Sequence, residues 1–166
     1  MRLISSLSAA GAPLTNSTAE TLLAAAVLPA YTLRAGKVFR VRAAVRTTAQ
    51  NGTDTLVVKF RIGPTTLTGT AWVTTAAVDQ AVDDVCVIDL EFHVRSVTSA
   101  GVATLVASGT ASPADANGTA TVSVAPAPLT TLSVASAQRL ELTGTWSAAS
   151  ASDSCQAEML SVYEAA

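Results

Sequence analysis

Aromatic and charged side chains are scarce in this chain. Only 4% of its 166 residues are aromatic and 13% are charged, against about 25% charged in an average soluble domain. Histidine occurs once and cysteine twice. A Ser–His–Asp triad would have to use His93, and no nucleophile elbow accompanies it. A Gly-rich phosphate loop is missing, and no two carboxylates can be assigned to a cleft as a glycosidase requires. The chain therefore reads as non-catalytic and without a cofactor. Cys86 and Cys155 are too few for a disulfide framework. They are read as buried free thiols, with pairing across adjacent strands as the alternative.

Basic excess is also lacking. The net charge of −2 leaves no electrostatic footprint for nucleic acid. The longest apolar run, Leu22 to Leu28, stops at Pro29, far short of the roughly 20 residues that span a bilayer. The apolar stretch after Arg2 is broken by Ser5 and Ser6 and is too short for a signal peptide. A secreted or bacterial-surface module would need such an export signal, so neither membrane nor nucleic acid is an expected partner.

Small and β-branched residues fill the space. Hydrophobic residues make up 49% of the chain, largely alanine and valine, and much of the remainder is threonine and serine. These residues suit pleated, closely packed sheets. So apolar and charge-poor an exterior is either solvated by serine and threonine hydroxyls or, the favoured reading, partly covered by other subunits. The length fits one domain, with residues 20–166 as its body and 1–19 as an N-terminal arm or edge strand.

Alternation marks the strands. Residues 37–46 place Phe39, Val41, Ala43 and Val45 on one face and Arg40, Arg42 and Arg46 on the other. Asn51-Gly52-Thr53-Asp54 then reads as a type I′ hairpin turn leading to a partner strand, Leu56 to Ile62, with Lys59 and Arg61 outward. Thr65 to Val73 is a weaker strand. Asp83 to Val97 turns Cys86, Ile88, Leu90, Phe92 and Val94 inward and Asp89, Glu91, His93 and Arg95 outward. Val102 to Ala111 and Thr119 to Ala125 form an expected hairpin around Ala114 to Gly118. Arg139 to Ser147 and Cys155 to Glu164 complete the set. Ala19 to Leu28 is alanine-rich and capped by Asn16 to Thr18, yet it reads as an extended strand running into Pro29. Ala125 to Leu129 and Ser147 to Ser154 read as loops. About 8–10 strands separated by turns predict an all-β, antiparallel β-sandwich of jelly-roll type.

The outward charges are the candidate interaction residues: Arg40, Arg42, Arg46, Lys59, Arg61, Asp89 and Glu91. Together with Glu141 they suit cross-strand ion pairs if their strands are neighbours. The alternative is contact with a partner subunit, where eight arginines to two lysines is a favourable bias. Asp89, Glu91 and His93 stand at i, i+2 and i+4, but their bases lie about 6.6–6.8 Å apart and further ligands are wanting. Asp79, Asp83 and Asp84 lack the ligand spacing of a calcium loop. No metal site is assigned. Of the N-x-S/T sequons at Asn16, Asn51 and Asn117, the two N-G-T cases are accounted for by turn chemistry.

Glu20 to Leu67 and Asp83 to Val97 together resemble a jelly-roll domain recurrent in virion proteins of tailed bacteriophages. The resemblance rests on Pro29, Tyr31, the turn Leu33-Arg34-Ala35-Gly36 and Asn51 to Thr55, set between alternating strands. It implies a virion structural protein, a capsid decoration or head-fibre subunit on the major capsid protein lattice. Its partners would be further copies of itself, often as a trimer, and the major capsid protein or another virion protein. The capsid surface is the expected place, ahead of the tail, and the segment before Glu20 is the expected arm toward a neighbour. A receptor- or carbohydrate-binding β-sandwich of a tail or spike is the alternative. That reading needs aromatics in an exposed groove, and with Phe39, Phe60 and Phe92 assigned to the core only Tyr31, Trp72, Trp146 and Tyr163 are available.

Overall fold

The structure, a computed structural model, describes residues 1–115, 118–119, 122–124 and 130–165, with side chains described outside 114–130. In chain order the strands are β1 (Arg2–Ser6), β2 (Leu14–Thr15), β3 (Thr21–Leu28), β4 (Val38–Ala49), β5 (Leu56–Gly63), β6 (Thr70–Thr74) and β7 (Val85–Val97). They continue as β8 (Val102–Ser112), β9 (Ala114–Asp115), β10 (Gly118–Thr119), β11 (Val122–Val124), β12 (Thr130–Ser133), β13 (Gln138–Trp146) and β14 (Ser154–Glu164). Among the described residues there is no helix. The strands outnumber the expected eight to ten partly because β2, β9 and β10 are ladders of two residues.

Two antiparallel sheets enclose one core, and β9 and β10 form a separate two-stranded ladder. The larger runs β1-β14-β4-β7-β8-β11, with β2 also on β14 and β12 also on β8; the smaller runs β3-β13-β5-β6. Four ladders pair early strands with late ones in reverse order: β1 with β14, β3 with β13, β4 with β7, and β5 with β6. Two more, β14 with β4 and β13 with β5, close the resulting ribbon on itself. The segment from β8 to β12 is an excursion between β7 and β13 that widens the larger sheet.

The alternation seen in the sequence sets the faces. Phe39, Val41, Ala43 and Val45 are fully buried, as are Phe60, Ile62, Ile88 and Leu140 from neighbouring strands. Phe39 and Phe92 stack with centroids 4.8 Å apart, and Trp72 of the smaller sheet meets Phe92 at 5.0 Å. This cluster joins the two sheets, each aromatic pair adding about 0.5–1.5 kcal/mol beyond area burial. The alanine-rich segment is extended as β3, ended by Pro29, whose ring fixes φ and removes a donor. A register shift opposite Leu142 and Thr143 makes Leu23 the extra residue of a bulge. That bulge lets the adjacent Leu23 and Ala24 both lie buried.

Residues 7–13 run on beside β14, with Leu7 and Gly11 N–H groups donating to Leu160 and Ala157 carbonyls at 2.8 Å each. A Cβ at position 11 would stand 2.3 Å from the Leu23 carbonyl oxygen, so glycine is needed where this segment crosses to β3. It bridges the two sheets along one side.

The structure corrects two expectations of local structure. Asn51–Asp54 does not close a hairpin: β4 and β5 lie in different sheets, so the turn is a crossover between layers. Only Gly52 there has positive φ, at 92°, whereas type I′ needs two such residues. The Asn51 side-chain oxygen instead accepts from the Thr53 and Asp54 N–H groups at 3.1 Å each, an Asx turn. The weak strand begins at Thr70 rather than Thr65, because residues 64–69 fold back as a loop. The hairpin of β8 with β11 is formed; its turn residues Ala116 and Asn117, with the Asn117 sequon, and the expected loop Ala125 to Leu129 lie outside the described residues.

Candidate interaction surfaces

The seven candidate residues divide between the outer faces of the two sheets. On the larger sheet, pairing of β4 with β7 sets Arg42 opposite Asp89 and Arg40 opposite Glu91. The side chains converge on Asp89. Arg40 grips it with two hydrogen bonds, Nε to Oδ1 at 3.2 Å and Nη2 to Oδ2 at 3.1 Å, and Arg42 Nε lies 3.4 Å from Oδ2. Glu91 takes His93 instead, at 2.8 Å. Arg46 spans Glu158 on β14 at 2.7 Å and Asp83 before β7 at 3.0 Å. Most of these groups are well exposed, so solvent screens each pair and little stability rests on any one of them.

On the smaller sheet Lys59 and Arg61 meet an acid that sequence reasoning did not single out. Glu20, just before β3, accepts from Arg61 Nε at 2.6 Å, Lys59 Nζ at 2.9 Å and the Thr143 hydroxyl at 2.8 Å. The Arg61 guanidinium is the chief cause holding the Glu20 carboxyl at about 2, well below its ordinary 4.5. Glu141, expected to point outward with the other charges, is on the outer face but buried. Loop 64–69 covers it: the Leu67 N–H donates to Glu141 Oε2 and Arg139 Nε to Oε1, each at 2.8 Å.

Neither candidate metal cluster comes together. Asp79 accepts from Gln50 at 2.6 Å, Asp83 holds Arg46, and Asp84 accepts the Ala81 N–H at 2.8 Å. Among the described residues no group of three or more potential ligands converges. Both cysteines are free and buried, and β4 separates their strands. Burial pushes each thiol up to about 12, so neither is a thiolate near neutral pH.

Of the aromatics that a sugar-binding groove would need, Trp72 and Trp146 are buried. Tyr31 alone stands out, 63% exposed and held in a left-handed conformation with φ of 63°. Such strain in a non-glycine residue is uncommon and collects at functional positions. Its N–H donates to the Val134 carbonyl at 2.6 Å. Beside it lies a cleft of about 660 Å³ whose walls include Arg2, Arg34, Lys37 and Glu164. Arg2 Nη2 lies 2.6 Å from Glu164, which also pairs with Lys37. No family model and no curated protein sequence matches the chain.

Proposed function

We propose that the chain is a non-catalytic structural subunit of a bacteriophage particle, a jelly-roll virion protein of the capsid decoration or head-fibre type. The observation that carries this reading is the strand order. A jelly roll is an antiparallel ribbon of two chain halves rolled into two sheets of four strands. The ladders β1–β14, β3–β13, β4–β7 and β5–β6 supply such a ribbon. The ladders β14–β4 and β13–β5, which set β1-β14-β4-β7 in one sheet and β3-β13-β5-β6 in the other, support a reading of that ribbon as rolled. The excursion from β8 to β12 is then an addition at one edge. Fold alone does not assign a task; the resemblance of Glu20 to Leu67 and Asp83 to Val97 to phage virion domains supplies it.

In this role the exposed arginine-rich face of β4 and β7 contacts the major capsid protein or a second copy, as a trimer. Repetition over the lattice turns weak contacts into firm attachment. Cosedimentation of the purified chain with assembled, undecorated capsids tests the assignment. Saturable binding that weakens when Arg40 and Arg42 are both changed to glutamate is the expected result. Normal incorporation into virions without any capsid binding would move the chain away from the head. A tail or spike module that binds a receptor or carbohydrate is favoured by one feature, exposed Tyr31 beside the basic cleft. It is opposed by the withdrawal of both tryptophans into the core.

A further inference from the structure

The chain's charges are sorted by end. At the end where β3, β5, β7 and β14 finish, the loops 29–37, 64–69, 98–101 and 134–137 contain no aspartate or glutamate. Arg34 and Lys37 lie in the first of them. Arg2 and Arg95 stand close by: Arg2 shares the cleft beside Tyr31, and Arg95 lines an adjoining depression that shares Lys37 with it. Glu164 is the one acid in that cleft. Arg34 and Arg95 have no carboxylate partner among the described residues. At the opposite end the loops 16–20, 50–55, 75–84 and 147–153 contain no lysine or arginine. Asp54, Asp79, Asp83 and Asp84 lie there; Asp83 also pairs with Arg46 of β4, yet its side chain is 76% exposed. With a net charge of only −2, the molecule is nearly neutral as a whole and polarised along its strands.

We infer that the basic cleft around Tyr31 and Arg34 is a docking site for the acidic loop end of a second copy of this chain, joining copies head to tail. Arg34 and Arg95, without carboxylate partners among the described residues of their own chain, find unlike charges on the next copy, and opposed potentials orient the approach. Tyr31 supplies what charge alone does not. It is a large amphipathic ring already exposed on the wall of the cleft, the kind of residue that dominates interfaces when desolvated. A contact between two different surfaces of one molecule is heterologous, so it propagates into a column or closes into a ring. The inference goes beyond the virion reading and holds wherever the chain is used.

Sedimentation of the full chain tests it. At about 10 mM salt the wild type is expected to gain mass with concentration, and at about 0.5 M salt to weaken at least tenfold in association. Two variants isolate the ends: Arg34→Glu with Arg95→Glu, and Asp83→Asn with Asp84→Asn. Asparagine keeps the acceptor for the Ala81 N–H and tolerates the left-handed φ of 71° at position 83. Each variant alone should remain monomeric with an unchanged far-ultraviolet circular dichroism spectrum. Their equimolar mixture should form dimers and nothing larger, since only one good contact per pair survives. Tyr31→Ala should weaken wild-type association at least tenfold at low salt. A wild type monomeric at low salt overturns the inference, as does association that survives both pairs of substitutions or a mixture that stays monomeric while the wild type associates. A monomeric wild type whose retention on heparin is lost on reversing Arg34 and Arg95 would assign the cleft to a foreign polyanion instead.

Discussion

Glu20 is tied to Lys59, Arg61 and Thr143, so it fastens the entry of β3 to β5 and β13. Its carboxyl titrates at about 2 in the fold against an ordinary 4.5. A depressed carboxylate stabilises the fold fully above its unfolded value and loses that contribution as pH falls through the folded one. Glu20→Gln is therefore expected to lower stability by about 1–3 kcal/mol at neutral pH. The gap between variant and wild type should close from pH 4.5 toward 2, read from urea unfolding midpoints. Asp153 has the opposite sign. Burial, reinforced by the neighbouring Asp54 carboxyl, pushes it above its ordinary 3.8, and it accepts the Asn51 N–H at 2.9 Å. A raised carboxyl favours the fold at low pH and loses that contribution as pH rises through its folded value. Asp153→Asn keeps an acceptor for Asn51 and removes the charge. The variant should unfold at a higher temperature than wild type at pH 7, with the advantage vanishing below pH 3.8.

The strand β14 changes phase part-way. Cys155 and Ala157 face the core, then Leu160 and Val162 do, and the register against β4 shifts between Ala157 and Met159. Glu158 is the extra residue, and its side chain turns out to Arg46. Deleting Glu158 leaves both halves of β14 in phase with β4, so the protein should still fold with a cooperative thermal transition, the missing ion pair being an exposed one. Deleting Ser161 instead turns one half of the strand inside out, and no cooperative thermal transition should remain. Much at this scale was legible in the sequence: the alternation in β4, β5 and β7 marks the buried face residue by residue, whereas in β13 the outer-face Glu141 and Thr143 are buried as well. Which strands are neighbours was not. Asn51 to Asp54 has the chemistry of a tight reversal, and a crossover between sheets uses the same chemistry at the same place. Arg40 and Arg42 were visible as outward charges, and their meeting on Asp89 followed from pairing β4 with β7. Glu20 carried no signal at all. It belongs to no alternating run, and only the topology brings position 20 beside 59, 61 and 143.

Across the whole molecule, the pairings that define the fold join residues distant in sequence, ending with Arg2 against Glu164. Loop-closure entropy must be met before such ladders stabilise anything. Refolding after dilution from urea should accordingly run in milliseconds to seconds, not microseconds, by tryptophan fluorescence. Trp72 and Trp146 are both buried and report the closing of the core.

The pairing of β1 with β14 also sets Arg2–Ser6 beside Ser161–Glu164 on one sheet. The order in which the strands are strung together is thus separable from how they pack. A short glycine-rich bridge from residue 165 back to residue 1, with a new opening at the Thr98–Gly101 turn, would yield a circularly permuted chain with every ladder kept.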